Sequence, residues 1–535
     1  MRRKLMHKRA LPPTWLQFLI VILLVLGVFF RFVNLDRKVY WIDENYTSLR
    51  ISGHTETEFV QQVFDGHVVN LKELQKYKQP NPEKGLVSTI NSLAVESPQH
   101  PPLYYVLARF WVQWFGNSVA VIRSLSALIS LLVFPCVYWL CMELFKSSLT
   151  GWIAIALIAV SPFHILYAQE AREYSLWTVT TALPCAALLH AIRLKTIRSW
   201  VIYAASVALG LYTFIFSIFV IIGHAVYVII IERFRLSKTV IYYSLATIAG
   251  LLAFSPWIFV VITNLPRVQS TAAWTELRLP FGRLLQGWIV HLGCVFFDLN
   301  SGYKYLRPPT LVLLALVVYS IYFFCRKTPK EVWLFVLTLI GATALALVLP
   351  DLILGGMRSI QARYLIPCYL GVQLAVAYLL ATKIASPSAN IQRQKVWQFV
   401  LIAMITGSIL SCAVSSQAEF WWNKSPDKHR YNPQVASIVN SAAHPLLISD
   451  SSTAISSSFA CRILALSYLL NPQVQLQLVV EPNIPQIPNG FSDVFLFSPS
   501  EALRQGIEKE QAYRAELVFQ RDNFWLWKLA TIRPR

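Results

Sequence analysis

Charge is scarce in this chain. Of 535 residues, 14% are Asp, Glu, Lys or Arg, against 56% hydrophobic and 13% aromatic, and the mean hydropathy is +0.50. That shortage excludes an ordinary water-soluble domain and a disordered chain, and it leaves a polytopic membrane protein. Acid is scarcer than base: 27 Asp and Glu stand against 47 Lys and Arg, a net charge of +20. In a soluble protein this excess would point to nucleic acid. Here many of the cations lie in short loops between apolar runs, which is the positive-inside pattern. The expected partners are therefore membrane lipids, with anionic headgroups or a phosphorylated lipid substrate, and no nucleic acid. The eight cysteines contain no C-x-x-C pair, so neither a disulfide framework nor a zinc site is indicated. A cleavage motif is missing too. The basic start, Met1 to Arg9, leads into a span too long for a signal-peptide core, so it is expected to remain as an anchor with the N-terminus in the cytoplasm.

What is present is a series of long apolar runs. Basic loops at Arg193–Arg198, Glu232–Lys238, Cys325–Lys330 and Arg393–Lys395 are placed in the cytoplasm, and this fixes the alternation of the spans around them. The count is about eleven spans, near 14–33, 118–145, 149–169, 172–192, 199–212, 213–231, 239–262, 309–325, 331–350, 363–383 and 396–415. The run Pro101–Gly116 is too short for the roughly 20 residues a crossing needs, and Arg109 interrupts it. It is expected to be an outer juxtamembrane or re-entrant helix, with twelve or thirteen spans as the competing count. Tyr46–Phe64 and Leu71–Leu93 have apolar residues at mixed three-to-four spacing, expected as helices lying on the membrane surface. Leu279–Phe297 is expected to lie there as well.

From about Gln417 the composition becomes that of a soluble domain. The pattern predicts helices at Pro433–Ala443, Ser456–Leu470 and Ser500–Ala512, strands at Leu446–Ser449, Val474–Val480 and Asp493–Phe497, and a strand pair in Glu516–Leu529. The expected organisation is a membrane-embedded domain, 1–416, and a small outer α/β domain, 417–535. The second contains no Gly-rich phosphate loop, metal-ligand spacing or nucleophile elbow, so nothing in it assigns a chemistry.

Ionisable groups at membrane depth are costly and gather where function needs them. Under this topology five distant segments converge on the outer side: Asp43 and Glu44, the turn Glu96–Pro102 with His100, His164, the turn Gln169–Tyr174 with Glu170, Arg172 and Glu173, and Gln361–Tyr364 with Arg363 and Tyr364. The chemistry that suits them is sugar transfer from a lipid phosphate. An attacking hydroxyl must lose a proton, which needs one placed carboxylate. A polyprenyl phosphate leaves readily and needs cations, for which the guanidinium fork is suited. Asp43 is assigned as the base. Glu44 is read as its orienter or as a solvated interfacial charge, since neighbouring residues point differently. For His100 the choices are substrate contact and helix capping; for Glu170 and Arg172, a second carboxylate with a phosphate clamp or an internal salt bridge. For Arg363 they are phosphate binding or snorkelling at a span end. No metal motif is visible and no cofactor is indicated, although Asp43, Glu44 and His100 could together hold a divalent cation.

Asp43-Glu44 after the first span, His100-Pro-Pro-Leu-Tyr-Tyr105, the block from Ser161 to Ser175 and Gln361-Ala-Arg-Tyr-Leu-Ile-Pro367 occur in an order that resembles the bacterial GT-C glycosyltransferases. The chain is similar in this to the protein O-mannosyltransferases and the aminoarabinose transferase of lipid A, over about residues 10–415. The resemblance implies an inverting transferase that takes a monosaccharide from a polyprenyl-phosphate donor on the outer face of the plasma (inner) membrane. Its acceptor would be an envelope lipid, glycan or protein. It also implies Asp43 as base, the Gln169–Glu173 turn lining the site, and Arg363 on the donor phosphate. Several relatives have an aspartate a few residues further on as their second acid, where this chain offers only Glu170 and Glu173. Two alternatives of other classes remain: a lipid or polysaccharide transporter, and an envelope scaffold organised around the outer domain.

Overall fold

A segment in hydrocarbon must satisfy its backbone internally, which selects helices for the apolar runs. The computed structural model describes residues 14–300, 307–385, 391–451, 458–511, 513–522 and 524–531. Among them eight helices are long and apolar enough to cross a membrane: Thr14–Phe32, Val119–Phe145, Tyr174–Leu194, Lys238–Thr263, Pro308–Lys327, Lys330–Ile353, Ala362–Ile384 and Ile391–Gln417. A ninth span follows if Ser148–Ala159 and Pro162–Ala168, bent by 59°, count as one. The bend falls where Pro162 opens the second helix, since proline disfavours helical geometry in the residue before it.

The chain is therefore a multi-span membrane protein, with a count that differs from the expected eleven. The two remaining positions are occupied by Ile197–Thr213 and Ser217–Ile231, of 17 and 15 residues, which are shorter than a perpendicular span requires. The run at Pro101–Gly116 forms the helix Leu103–Phe115, 13 residues long. At about 1.5 Å per residue that is roughly 20 Å, two-thirds of a hydrocarbon core. The basic residues before Thr14, part of the loop after Asn300, and Ser456–Ser457 of an expected helix lie outside the described residues.

By packing, the chain divides into two units. One comprises residues up to Leu35 together with Ser97–Tyr104 and Arg123–Gln417; the other comprises Asp36–Glu96, Tyr105–Ile122 and Ala418 onward. Among the described residues the first contains helices and no strand. Phe18, Val25 and Phe29 are exposed along its first helix, as suits a surface solvated by lipid. Close helix contact is made by a glycine: a Cβ on Gly27 would stand 2.6 Å from the Ala159 carbonyl. Arg31, fully buried one turn on, donates to Gly27 O at 2.7 Å and to Ala159 O at 2.6 Å, so the small residue admits both the neighbouring helix and the guanidinium.

The second unit is built on a six-stranded sheet: β1 Asp65–Asn70, β2 Pro445–Ser451, β3 Gln475–Val480, β4 Asp493–Phe497, β5 Tyr513–Arg521 and β6 Phe524–Thr531. Their order is β1-β3-β2-β4-β6-β5, with β3, β2 and β4 parallel and the outer pairings antiparallel. β2 is buried along its whole length, as a central parallel strand with covered faces must be. On one face Leu447, Leu476 and Phe495 pack with Leu49, Phe59, Val63 and Leu74; on the other Leu446, Ile448 and Leu496 meet Leu503 and Ile507.

This corrects one reading. The segment after the first span forms helices Ile42–Ser52, Glu56–Val63 and Leu86–Glu96, with β1 between the last two. Leu49, Phe59, Val63 and Leu74 of this segment cover a protein core, while Val87 and Val95 of Leu86–Glu96 stay exposed, and periodicity does not distinguish a core-facing stripe from a lipid-facing one. Arg109 belongs to this unit as well. Buried, it donates to Ile51 O at 2.6 Å and Thr89 Oγ1 at 3.0 Å.

Candidate active site

In the helical unit the residues around Gln169–Glu173 form a tight turn between Pro162–Ala168 and Tyr174–Leu194. Its backbone folds back through Arg172 N–H donating to Glu170 O at 2.8 Å, and the Gln169 amide ties it to the carbonyls of Phe30 and Val33 at 2.8 and 2.9 Å. Held this way, Arg172 Nη2 lies 3.1 Å from Glu173 Oε1, and His100 Nδ1 lies 2.9 Å from the same oxygen. The turn bearing His100 is anchored by Trp257 Nε1, which donates to Pro98 O at 3.0 Å. Burial would raise the Glu173 pKa, but Arg172 and His100 outweigh it and bring the carboxyl down to about 2. Glu173 is thus an ionised partner for the Arg172 guanidinium and for the His100 ring, and Glu170 is fully buried beside it.

Arg363 sits in the short 3-10 turn Ala362–Leu365 that leads into Ile366–Ile384. Three rings surround its guanidinium: Tyr364 at 5.4 Å, Trp274 at 5.8 Å and Tyr174 at 5.9 Å. Arg172 stands 5.8 Å from the centroid of that same Tyr174. Such ring faces attract cations, so Tyr174 gathers the two arginines named from the sequence. Tyr364 packs on Phe214 and Phe216. His164 is placed elsewhere in the unit: its Nε2 is 2.8 Å from Gln373 Oε1, and it borders a small cavity with Arg31, Ser130, Tyr167, Ser175 and Thr178.

In the α/β unit Asp43 and Glu44 occupy the first turn of Ile42–Ser52, where the positive end of the helix dipole favours carboxylates. They differ in access. Asp43 is half-buried, whereas Glu44 is fully buried. Glu44 Oε2 accepts from Trp41 N–H at 3.4 Å and pairs with Lys424 Nζ at 3.2 Å, so of the alternatives for this residue the solvated surface charge is removed. Nearby in the same unit, Lys78 is buried with its ammonium 4.1 Å from the Tyr468 ring, and that ring packs on Tyr40 at 4.7 Å. Burial lowers the Lys78 pKa to about 7. Among the described residues no three His, Cys, Asp or Glu side chains are grouped as metal ligands.

Sequence reasoning did not single out Tyr174, Lys78, Lys424 or His429. Tyr174 stands inside the block Ser161–Ser175 and was readable as an aromatic beside Arg172. The others are polar residues in polar stretches, with no periodicity or spacing to mark them.

Comparison with known proteins agrees with the motifs. Residues 99–259 match the model of the family described as dolichyl-phosphate-mannose-protein mannosyltransferase, and this stretch includes His100, His164, Glu170, Arg172 and Glu173. In fold the chain is similar to ArnT from Cupriavidus metallidurans bound to undecaprenyl phosphate, at 11% identity over 96% of this chain and 98% of that one, with a TM-score of 0.54. The apo state of the same protein aligns at 12% identity over 96% and 97%, also with a TM-score of 0.54. No curated protein matches the chain by sequence. The chain thus resembles the GT-C glycosyltransferases, and at this identity the likeness to ArnT concerns the fold.

Proposed function

We propose that this protein is an inverting glycosyltransferase of the inner membrane, moving one monosaccharide from a polyprenyl phosphate to an envelope lipid, glycan or protein on the outer side. The observation that carries the reading is the pair of guanidiniums, Arg172 and Arg363, on the ring of Tyr174. A phosphate ester needs charge-assisted donors of this kind. The undecaprenyl phosphate bound by the structurally similar ArnT supports a polyprenyl carrier.

In the reaction the acceptor oxygen forms a bond to the anomeric carbon while Asp43 accepts its proton. The bond from that carbon to the phosphate oxygen breaks, and the electron pair leaves with the polyprenyl phosphate. Arg363 and Arg172 hold the charge that develops there. Glu173 keeps Arg172 and His100 in place, and Glu170 lines the turn. Tyr364 and His164 contribute to substrate binding in this reading, His164 from its place beside Gln373. No step requires a metal, and a divalent cation remains open to a chelation experiment.

The test is turnover. Purified protein is offered a panel of polyprenyl-phosphate monosaccharides, and released lipid phosphate is measured. Asp43→Asn should cut release to a small residual rate at unchanged protein abundance; turnover at the parent rate removes Asp43 as base, and no release from any donor with the parent protein overturns the transferase reading.

A further inference from the structure

A helix begins with four backbone N–H groups that lack intrahelical acceptors, and a Ser, Thr, Asp or Asn at the N-cap is the usual local remedy. Ile42–Ser52 has Trp41 there, whose side chain supplies no such bond. The acceptor for the first turn comes from far along the chain: Ile42 N–H donates to His429 Nε2 at 3.1 Å. His429 is fully buried. Burial, with Arg462, Lys428 and Lys424 nearby, lowers its pKa to about 3, so the ring is neutral and Nε2 is free to accept. Nδ1 then carries the hydrogen and faces the Asn432 amide at 3.4 Å. Among the described residues Asn432 Oδ1 is a buried acceptor with no other donor, and turning that amide so that Oδ1 meets Nδ1–H satisfies both groups.

The same segment supplies Lys424, whose ammonium pairs at 3.2 Å with Glu44, both side chains having no exposure. Glu419 O accepts from Val39 N–H at 2.9 Å. Residues 419–432 thus hold positions 39, 42 and 44, on both sides of Asp43, while Asp43 itself is left partly accessible. A buried ion pair contributes little to stability over an apolar replacement, and fixing one geometry is its better attested use.

We infer that Lys424 and His429 are positioning residues for the Asp43 carboxylate, fixing the helical turn from which it projects. The inference rests on the reading of Asp43 as base. It makes the segment after the last span part of the catalytic apparatus without its touching a reacting atom.

The experiment measures kcat and donor KM of the full-length protein with the donor that turns over, for Lys424→Met, His429→Phe and His429→Gln, each alone and with Asp43→Asn. Lys424→Met and His429→Phe should lower kcat by about 10- to 100-fold, the scale of a small displacement of a reacting group. Donor KM should move by less than about threefold, because binding is not what they support. His429→Gln, whose side-chain oxygen can accept from Ile42 N–H, should recover most of the loss. In the Asp43→Asn background the added substitutions should leave the residual rate unchanged, since they act through the group already removed. Glu44→Gln with Lys424→Met removes both buried charges together and serves where Lys424→Met alone does not fold. Unchanged kcat in folded variants, or an equal loss with and without Asp43, overturns the inference. Asp43→Asn at the parent rate overturns the base reading instead.

Discussion

Arg172 and Arg363 face one ring, their guanidinium carbons 5.8 and 5.9 Å from the centroid of Tyr174. Like charges gathered this way need compensation. Glu173 gives it to Arg172 at 3.1 Å, and the aromatic faces of Trp274 and Tyr364 add to it at Arg363. A dianionic ligand would be welcomed by this arrangement, whereas a neutral one would gain little from it.

Arg363→Ala should therefore act on the donor. We expect kcat/KM to fall by the equivalent of about 1.5–3 kcal/mol, the scale of a hydrogen bond to a charged group. Arg363→Lys should recover only a small part, because an ammonium lacks the planar fork that matches phosphate oxygens. Steady-state rates against donor concentration check this. Wild-type kinetics in Arg363→Ala would leave Arg363 as a snorkelling residue.

Glu173 gives a pH dependence whose sign follows from its pKa. Folding lowers that value from an ordinary 4.5 to about 2, with Arg172 and His100 overcoming the effect of burial. The native state therefore binds fewer protons than the unfolded state between these values, so the ionised carboxyl stabilises the fold above about pH 4.5 and loses that effect as pH falls towards 2. Glu173→Gln should lower the Tm of the detergent-solubilised protein at pH 7, with a difference that narrows below pH 4.5. A gap independent of pH would remove the ionic role.

The long spans and the strands β2 to β6 are legible in the sequence because each has a local signature. Asp493–Phe497 is a short apolar run bounded by turns, and the structure places β4 there. β1 had no such signature. Asp-Gly-His-Val-Val-Asn is short and mostly polar, and it becomes a strand because β3 offers it an edge from more than 400 residues away. The meeting of His100 with Arg172 and Glu173 was expected, since both turns were put on one side of the membrane by the charge pattern. The fate of Glu44 was not. The sequence separates the two acids only by the different directions of neighbouring side chains, and it is the distant Lys424 that makes Glu44 a buried anchor beside an accessible carboxylate.

Lys78 is a burden on the fold in isolation. Burial lowers its pKa from 10.5 to about 7, so between those values the unfolded state binds the extra proton and stability rises with pH. Lys78→Met should raise Tm most at or below pH 7, offset by the lost contact with Tyr468, which is worth about 0.5–2 kcal/mol, and the gain should fade towards pH 10.5. Thermal melts at pH 6, 8 and 10 test the trend. A constant or growing gain would show that Lys78 is already neutral or otherwise compensated.

The charge pattern also predicts an orientation that labelling can read. Val87 is 79% exposed in the α/β unit and Leu236 is 88% exposed, the latter inside the basic loop Glu232–Lys238 that positive-inside reasoning puts in the cytoplasm. The native cysteines Cys136 and Cys325 are half-buried and the other six are buried, so the parent protein supplies a low background. A membrane-impermeant maleimide should label Val87→Cys in intact spheroplasts and Leu236→Cys only after permeabilisation. The reverse pattern would put Asp43 on the cytoplasmic side, where a donor presented at the outer leaflet could not reach it.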